Sequence, residues 1–105
     1  MIASIHITGC SYPNPDDTSR QDILAACKEG DPVTLEREPT NPHDPNAVKV
    51  VTALGQIGYC PRLVAERIGD EELMGRWRIE RLLGGTALKP TLGCMIAPAT
   101  LPSEE

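Results

Sequence analysis

Phenylalanine is absent from this chain, and one tryptophan and two tyrosines are its whole aromatic complement, 3% of 105 residues. A core without large rings has to be built from Val, Ile, Leu and Ala, so Trp77, Tyr12 and Tyr59 each carry extra weight. Long apolar runs are missing too. No stretch approaches the roughly 18 residues that span a bilayer, and Met1 to Gly9 lacks the basic start, apolar centre and small-residue end of a secretory signal. A cytoplasmic protein with reduced thiols and no membrane contact is therefore expected. Walker, GxGxxG, HExxH and GxSxG patterns are all absent, which removes the common nucleotide, metalloprotease and esterase signatures. The acidic pairs Asp16-Asp17 and Glu71-Glu72 lie in polar links with no histidine close in sequence and read as solvated turns. Cys10, Cys27, Cys60 and Cys94 stand 17, 33 and 34 residues apart, with no CxxC pair and neither His6 nor His43 in a ligand pair. Such spacing suits small buried hydrophobes better than zinc. No enzymatic activity, cofactor or metal is expected.

What is present fits one small domain. A single core takes roughly 100 residues, so a second has no room. Hydrophobic residues make up 40% and charged residues 24%, ordinary globular usage. Ten prolines and nine glycines suit a compact fold of short elements and many turns. Ten basic against fifteen acidic residues give a net charge of −5. The excess is uneven: it lies in residues 1–36 and in Glu104 and Glu105, while the middle of the chain is nearly balanced. The whole-chain charge argues against tight sequence-independent duplex binding, which needs many Lys and Arg contacts to phosphate, but leaves room for a small site for one strand end.

Ile2 to Thr8 alternates imperfectly and reads as a first strand, followed by the proline-rich loop Cys10 to Asp17. Thr18 or Ser19 can cap a helix running to about Lys28, with Ile23, Leu24 and Cys27 on one face and Gly30 as a left-handed C-terminal cap. Val33 and Leu35 mark a second strand ending at Pro39. Thr40 to Asn46 cannot be regular, because Pro42 and Pro45 remove backbone donors and Asn41, Asp44 and Asn46 favour Asx turns. Ala47 to Thr52 and Gln56 to Cys60 form a hairpin, and Pro61 suits the first turn of a second helix bearing Leu63, Val64, Arg67 and Ile68. A polar link, Asp70 to Gly75, precedes strands at Trp77 to Leu83 and Thr91 to Ala97. The fold class expected is mainly β with two short helices, a small closed or nearly closed antiparallel barrel of about six strands over residues 1–98, followed by an acidic flexible tail at 99–105.

The most informative stretch is Arg37-Glu38-Pro39-Thr40-Asn41-Pro42-His43-Asp44-Pro45-Asn46-Ala47-Val48-Lys49-Val50, followed by Gln56-Ile57-Gly58-Tyr59-Cys60-Pro61-Arg62 and Ala65. With Ser11-Tyr12 after the first strand, this order resembles the HIRAN domain, well over residues 2–69 and more loosely through Gly84-Gly85 and Lys89-Pro90. The resemblance implies an OB-like barrel that holds the 3′ end of single-stranded DNA in a repair or DNA-processing setting. It implies roles residue by residue: Asp44 accepts from the terminal 3′-hydroxyl, Tyr12 stacks on a base, His43 occupies an aromatic loop position, Asn41 the loop asparagine, and Arg62 a position contacting phosphate. Ser11 departs from the pattern, standing where the DNA-binding relative carries a basic residue.

These roles are chemically coherent, since an acceptor carboxylate repels a terminal phosphate and a stacked base contributes about 1–3 kcal/mol. Beside them stands the plainer reading that Asn41, Asp44 and Asn46 knit the loop. Tyr59 and Trp77 read as packing residues. As the chain begins at Met1 and fills one domain, a free-standing HIRAN protein is expected, with a separate helicase or nuclease as partner. The alternative is a protein-interaction module on the same barrel, without DNA.

Overall fold

The computed structural model describes residues 2–99. Six strands form, β1 (Ile5–His6), β2 (Pro32–Arg37), β3 (Val48–Thr52), β4 (Gly55–Tyr59), β5 (Trp77–Leu83) and β6 (Gly93–Pro98), with short helices α1 (Arg20–Ala25), α2 (Arg62–Ala65) and α3 (Asp70–Met74) between them. The strands pair antiparallel throughout in the order β1-β6-β5-β2-β3-β4. Register shifts at Val50/Val51 and Ile79/Arg81 add twist, and the sheet curls until its two edges meet. There Thr8 N–H donates to the Tyr59 carbonyl at 2.8 Å and Tyr59 N–H to the Thr8 carbonyl at 2.9 Å. The result is the small antiparallel barrel that the strand pattern predicts, OB-like as the family resemblance implies.

Alternation drives the curl. In β2, Val33 and Leu35 point inward while Thr34 and Glu36 face solvent, and Val48 and Val50 repeat this in β3. The innermost side chains are Ile5, Leu24, Val48, Val50, Ile57, Ile79, Cys94 and Ile96, an aliphatic core with no ring in it. Trp77 sits at its margin, buried, with its indole N–H donating to the Glu72 carbonyl at 2.8 Å. All four cysteines are buried free thiols, and burial pushes Cys60 and Cys94 up to about 12. Among the described residues no helix is long and apolar enough to cross a membrane.

Three local readings change. Asp70–Met74 is a third helix rather than a link: Asp70, Glu71 and Glu72 suit the positive end of a helix, and the Glu72 carboxylate accepts from Gly69 N–H at 2.8 Å. Ser19 is the cap of α1, its hydroxyl accepting from Asp22 N–H at 3.1 Å, but the helix stops at Ala25. Gly30, at φ 95°, therefore lies beyond the cap and donates across to the Ile79 carbonyl at 2.8 Å. Of the expected tail, residues 100–105 lie outside the described residues. Ala99 N–H donates to the Arg76 carbonyl at 2.7 Å.

Closure of the barrel needs a residue without a side chain at position 58. A methyl there would stand 2.5 Å from the Thr8 carbonyl oxygen and 2.6 Å from Cγ2 of Ile7. Gly58→Ala is expected to destabilise by about 1–3 kcal/mol, as overpacking does, and thermal melting should show a drop of several degrees or more. An unchanged melting temperature would mean that the edges are not held this closely.

Candidate nucleic-acid interface

The loop between β2 and β3 is built around one amide. Asn41 Oδ1 accepts from the backbone N–H groups of His43 at 2.8 Å and Asp44 at 3.0 Å, so one side chain stands in for the partners that Pro42 and Pro45 prevent. Asn41 Nδ2 donates to Glu38 Oε1 at 2.8 Å, and the Tyr59 hydroxyl donates to the same oxygen at 2.7 Å. Asp44 Oδ1 accepts from Asn46 N–H at 2.9 Å. Arg37 fixes the loop from behind, its guanidinium donating to the Asn46 carbonyl at 2.7 Å, to the Ala65 carbonyl at 3.0 Å and to the Ile68 carbonyl. The loop is thereby tied both to α2 and to the end of β4.

Two concavities flank it. The larger, of about 740 Å³, lies between the loop after β1 and the Asn41–His43 segment and is lined by Tyr12, Arg20, Glu38, Asn41, His43 and Tyr59, among others. The smaller, of about 300 Å³, continues on the far side of Asn41, His43 and Tyr59 and reaches Asp44 and Arg62. Tyr12 is largely exposed, a free ring over the larger space. In the smaller space Asp44 Oδ2, which accepts no hydrogen bond among the described residues, faces Arg62 Nε at 3.9 Å. The Asp44 side chain is mostly buried, 16% exposed, while that of Arg62 is 71% exposed, so the carboxylate belongs to the wall and the guanidinium stands in solvent beside it. The structure thus brings Tyr12, Asn41, His43, Asp44 and Arg62, drawn from three separate parts of the chain, onto adjoining walls.

Residues 3–80 match the HIRAN domain family. The chain belongs to that family. No curated protein matches it. Among solved structures it is similar to the HIRAN domain of human HLTF, with a TM-score of 0.59 and 22% identity over 90% of this chain and 71% of that one. It is equally similar to a protein from Lactobacillus plantarum, with a TM-score of 0.58 and 22% identity over 92% and 91% of the two chains. At such identity these two structures support the fold alone, and it is family membership that makes this a binding domain.

Three residues that line the larger concavity did not stand out in the sequence. Tyr59, read as packing, lines both concavities and holds Glu38; its place in Gly58-Tyr59-Cys60 was the available signal. Glu38 lies near the end of the expected second strand and Arg20 near the start of the expected first helix, neither singled out, yet Arg20 is buried. The Glu38 carboxyl is pulled two ways: burial favours its neutral form, but hydrogen bonds from Tyr59 and Asn41 with the charges of Lys49 and Arg20 prevail, and it titrates below the ordinary glutamate range.

A depressed carboxylate stabilises the fold above the unfolded-state value and loses that contribution as pH falls through the folded one. Tyr59→Phe should raise the Glu38 value, read by NMR titration of its carboxyl carbon, and destabilise by about 1 kcal/mol at neutral pH. Below the folded Glu38 value, where the carboxyl is protonated in both proteins, the difference in stability should shrink. A Glu38 titration that does not move on removing the hydroxyl would show the Tyr59–Glu38 bond to be absent in solution.

Proposed function

We propose that this HIRAN domain is a nucleic-acid-binding module that holds the 3′-hydroxyl end of single-stranded DNA, with the terminal nucleotide at the Asp44 side of the loop and the preceding base over Tyr12. The observation that carries the reading is the division of labour within one carboxylate. Asp44 Oδ1 is committed to the Asn46 N–H of its own loop, while Oδ2 is left as an acceptor on the wall of a concavity. A hydroxyl can donate to it; a terminal phosphate brings like charge to a mostly buried anion. Tyr12 and His43 offer stacking faces that tolerate any base, so an end is recognised without reading sequence. Asn41, whose side-chain amide is engaged by Glu38 and by the His43 and Asp44 N–H groups, shapes the site and does not touch the strand through that amide. Such a module would present strand ends to a separate helicase or nuclease in repair or DNA processing.

Fluorescence anisotropy with labelled single strands tests this. A 3′-hydroxyl strand should bind more tightly than its 3′-phosphate twin, and equal affinities would remove the end-recognition reading. Asp44→Asn keeps an oxygen for Asn46 N–H but loses the charged acceptor, so affinity should fall about tenfold or more with little change in melting. Asp44→Ala should in addition lower stability by about 1 kcal/mol, as loss of a helix cap does. An Asn variant that binds like the wild type would eliminate Asp44 as the residue that recognises the end.

Arg62 gives an independent check, because its side chain is largely exposed and makes no hydrogen bond among the described residues. Arg62→Ala should weaken binding and flatten its salt dependence by about one phosphate contact, a slope change of roughly 0.7 for a single strand. An unaltered slope would place Arg62 outside the interface.

A further inference from the structure

Arg20 is buried to 5% exposure, and among the described residues the charge it carries has no carboxylate within ion-pair distance. The described residues hold two salt bridges, Lys49–Glu36 and Arg62–Asp44, and neither includes it. A buried guanidinium is costly unless its donors and its charge are both met. Two donors are met by neutral oxygens: Nε donates to Asn14 Oδ1 at 2.7 Å and Nη1 to the Gly9 carbonyl at 2.8 Å. The plane lies over the Tyr59 ring, 5.2 Å from its centroid. Glu38 feels the charge, but its carboxylate is taken by Tyr59 and Asn41. Nη2 has no hydrogen bond among the described residues, and no fully buried side-chain nitrogen there lacks one, so Nη2 is the edge that reaches the surface. Arg20 is also one of the residues that line the larger concavity.

The surroundings hold this geometry in place. Asn14, itself buried, spends both amide hydrogens on the Thr18 hydroxyl and the Gln56 carbonyl, each at 3.0 Å, which aims its oxygen at Arg20. Gly9, at φ 72°, lets the side chains converge: a methyl on it would lie 3.4 Å from Arg20 Nη1, 3.8 Å from Tyr59 Cδ2 and 3.9 Å from Tyr12 Cδ2. A fixed cation therefore stands beside an exposed stacking ring, with a donor edge open to ligand.

We propose that Arg20 is a phosphate-anchoring residue, its Nη2 edge donating to a non-bridging oxygen of an internucleotide phosphodiester that lies beside the base stacked on Tyr12. This deepens the proposed function and rests on it. Unlike Arg62, which is solvated and adds general attraction, Arg20 is held rigidly and selects one linkage, counted from the 3′ end.

The test is a methylphosphonate scan, in which each linkage near the 3′ end is neutralised in turn and binding measured by anisotropy. In the wild type one linkage should cost about tenfold. In Arg20→Gln the same substitution should cost nothing further, while penalties at other linkages persist. If Arg20→Gln does not fold, the wild type still decides: the Arg20 guanidinium 15N signals should shift on adding the natural strand and stay in place with the strand neutral at that linkage. No linkage whose penalty depends on Arg20, or guanidinium signals that move alike with both strands, overturns the anchor. Wild-type protein that favours a 3′-hydroxyl but shows no such coupling refutes Arg20 alone, whereas wild-type protein that binds no strand refutes the function and the anchor together.

Discussion

Thr8 and Tyr59 exchange two backbone hydrogen bonds, and on that exchange rest both the closed shape of the sheet and the placement of the site. An open sheet of six strands would leave β1 and β4 as free edges far apart in the strand order. Joining them brings the loop after β1, which carries Tyr12, next to the loop between β2 and β3, which carries His43 and Asp44. The joint tolerates no side chain at Gly58, so the approach is as close as backbone atoms allow. Tyr59 then extends the joint outward: its backbone closes the barrel, its hydroxyl fixes Glu38 and its ring lies against Arg20. One residue thus couples the integrity of the fold to the geometry of the concavity.

The β2–β3 loop shows how a segment with three prolines becomes rigid without regular structure. Pro39, Pro42 and Pro45 supply no N–H, so few donors remain to be satisfied, and Asn41 and Asp44 satisfy most of them locally. Arg37 does the rest from the rear with carbonyls of the loop and of the chain through and after α2. Order of this kind, present before any ligand arrives, lowers the entropy lost on binding, and it keeps Asp44 Oδ2 in one position instead of many. The plain structural reading of this loop and the binding reading are therefore compatible, since they use different oxygens of the same carboxylate.

All six strands were legible from alternation and turn chemistry because period-two patterns such as Val33/Leu35 and Val48/Val50 are local signals of a buried face. The loop was legible for the same reason: Asx turns and prolines act within a few residues. What escaped detection depends on distant partners. α3 has five residues and no apolar stripe, so no period exists to read; it is held by its acidic first turn and by the indole of Trp77 bonding its Glu72 carbonyl. Arg20, at the first position of α1, looks like a solvated charge, and only the fold of residues 9–19 around Asn14 and Gly9 buries it. Glu38 becomes special only once Tyr59 reaches it from another strand.

The overall charge of −5 sits uneasily with a polyanionic ligand until its distribution is considered. At physiological salt a charge is felt over roughly 8 Å, so distant surface acids are screened while groups lining a concavity are not. Arg20 and Arg62 stand on opposite sides of the loop, and the anions between them are already occupied, Glu38 by Tyr59 and Asn41, and Asp44 in part by Asn46. A duplex would have to lay many phosphates along this acidic exterior with few cations to meet them. In the proposed binding mode a single strand entering by its end needs only the local field, one acceptor for its hydroxyl and a ring to stack on. Under the proposed function the net negative charge is then a selective feature: it disfavours the long contacts of nonspecific binding while leaving a local contact with a strand end possible.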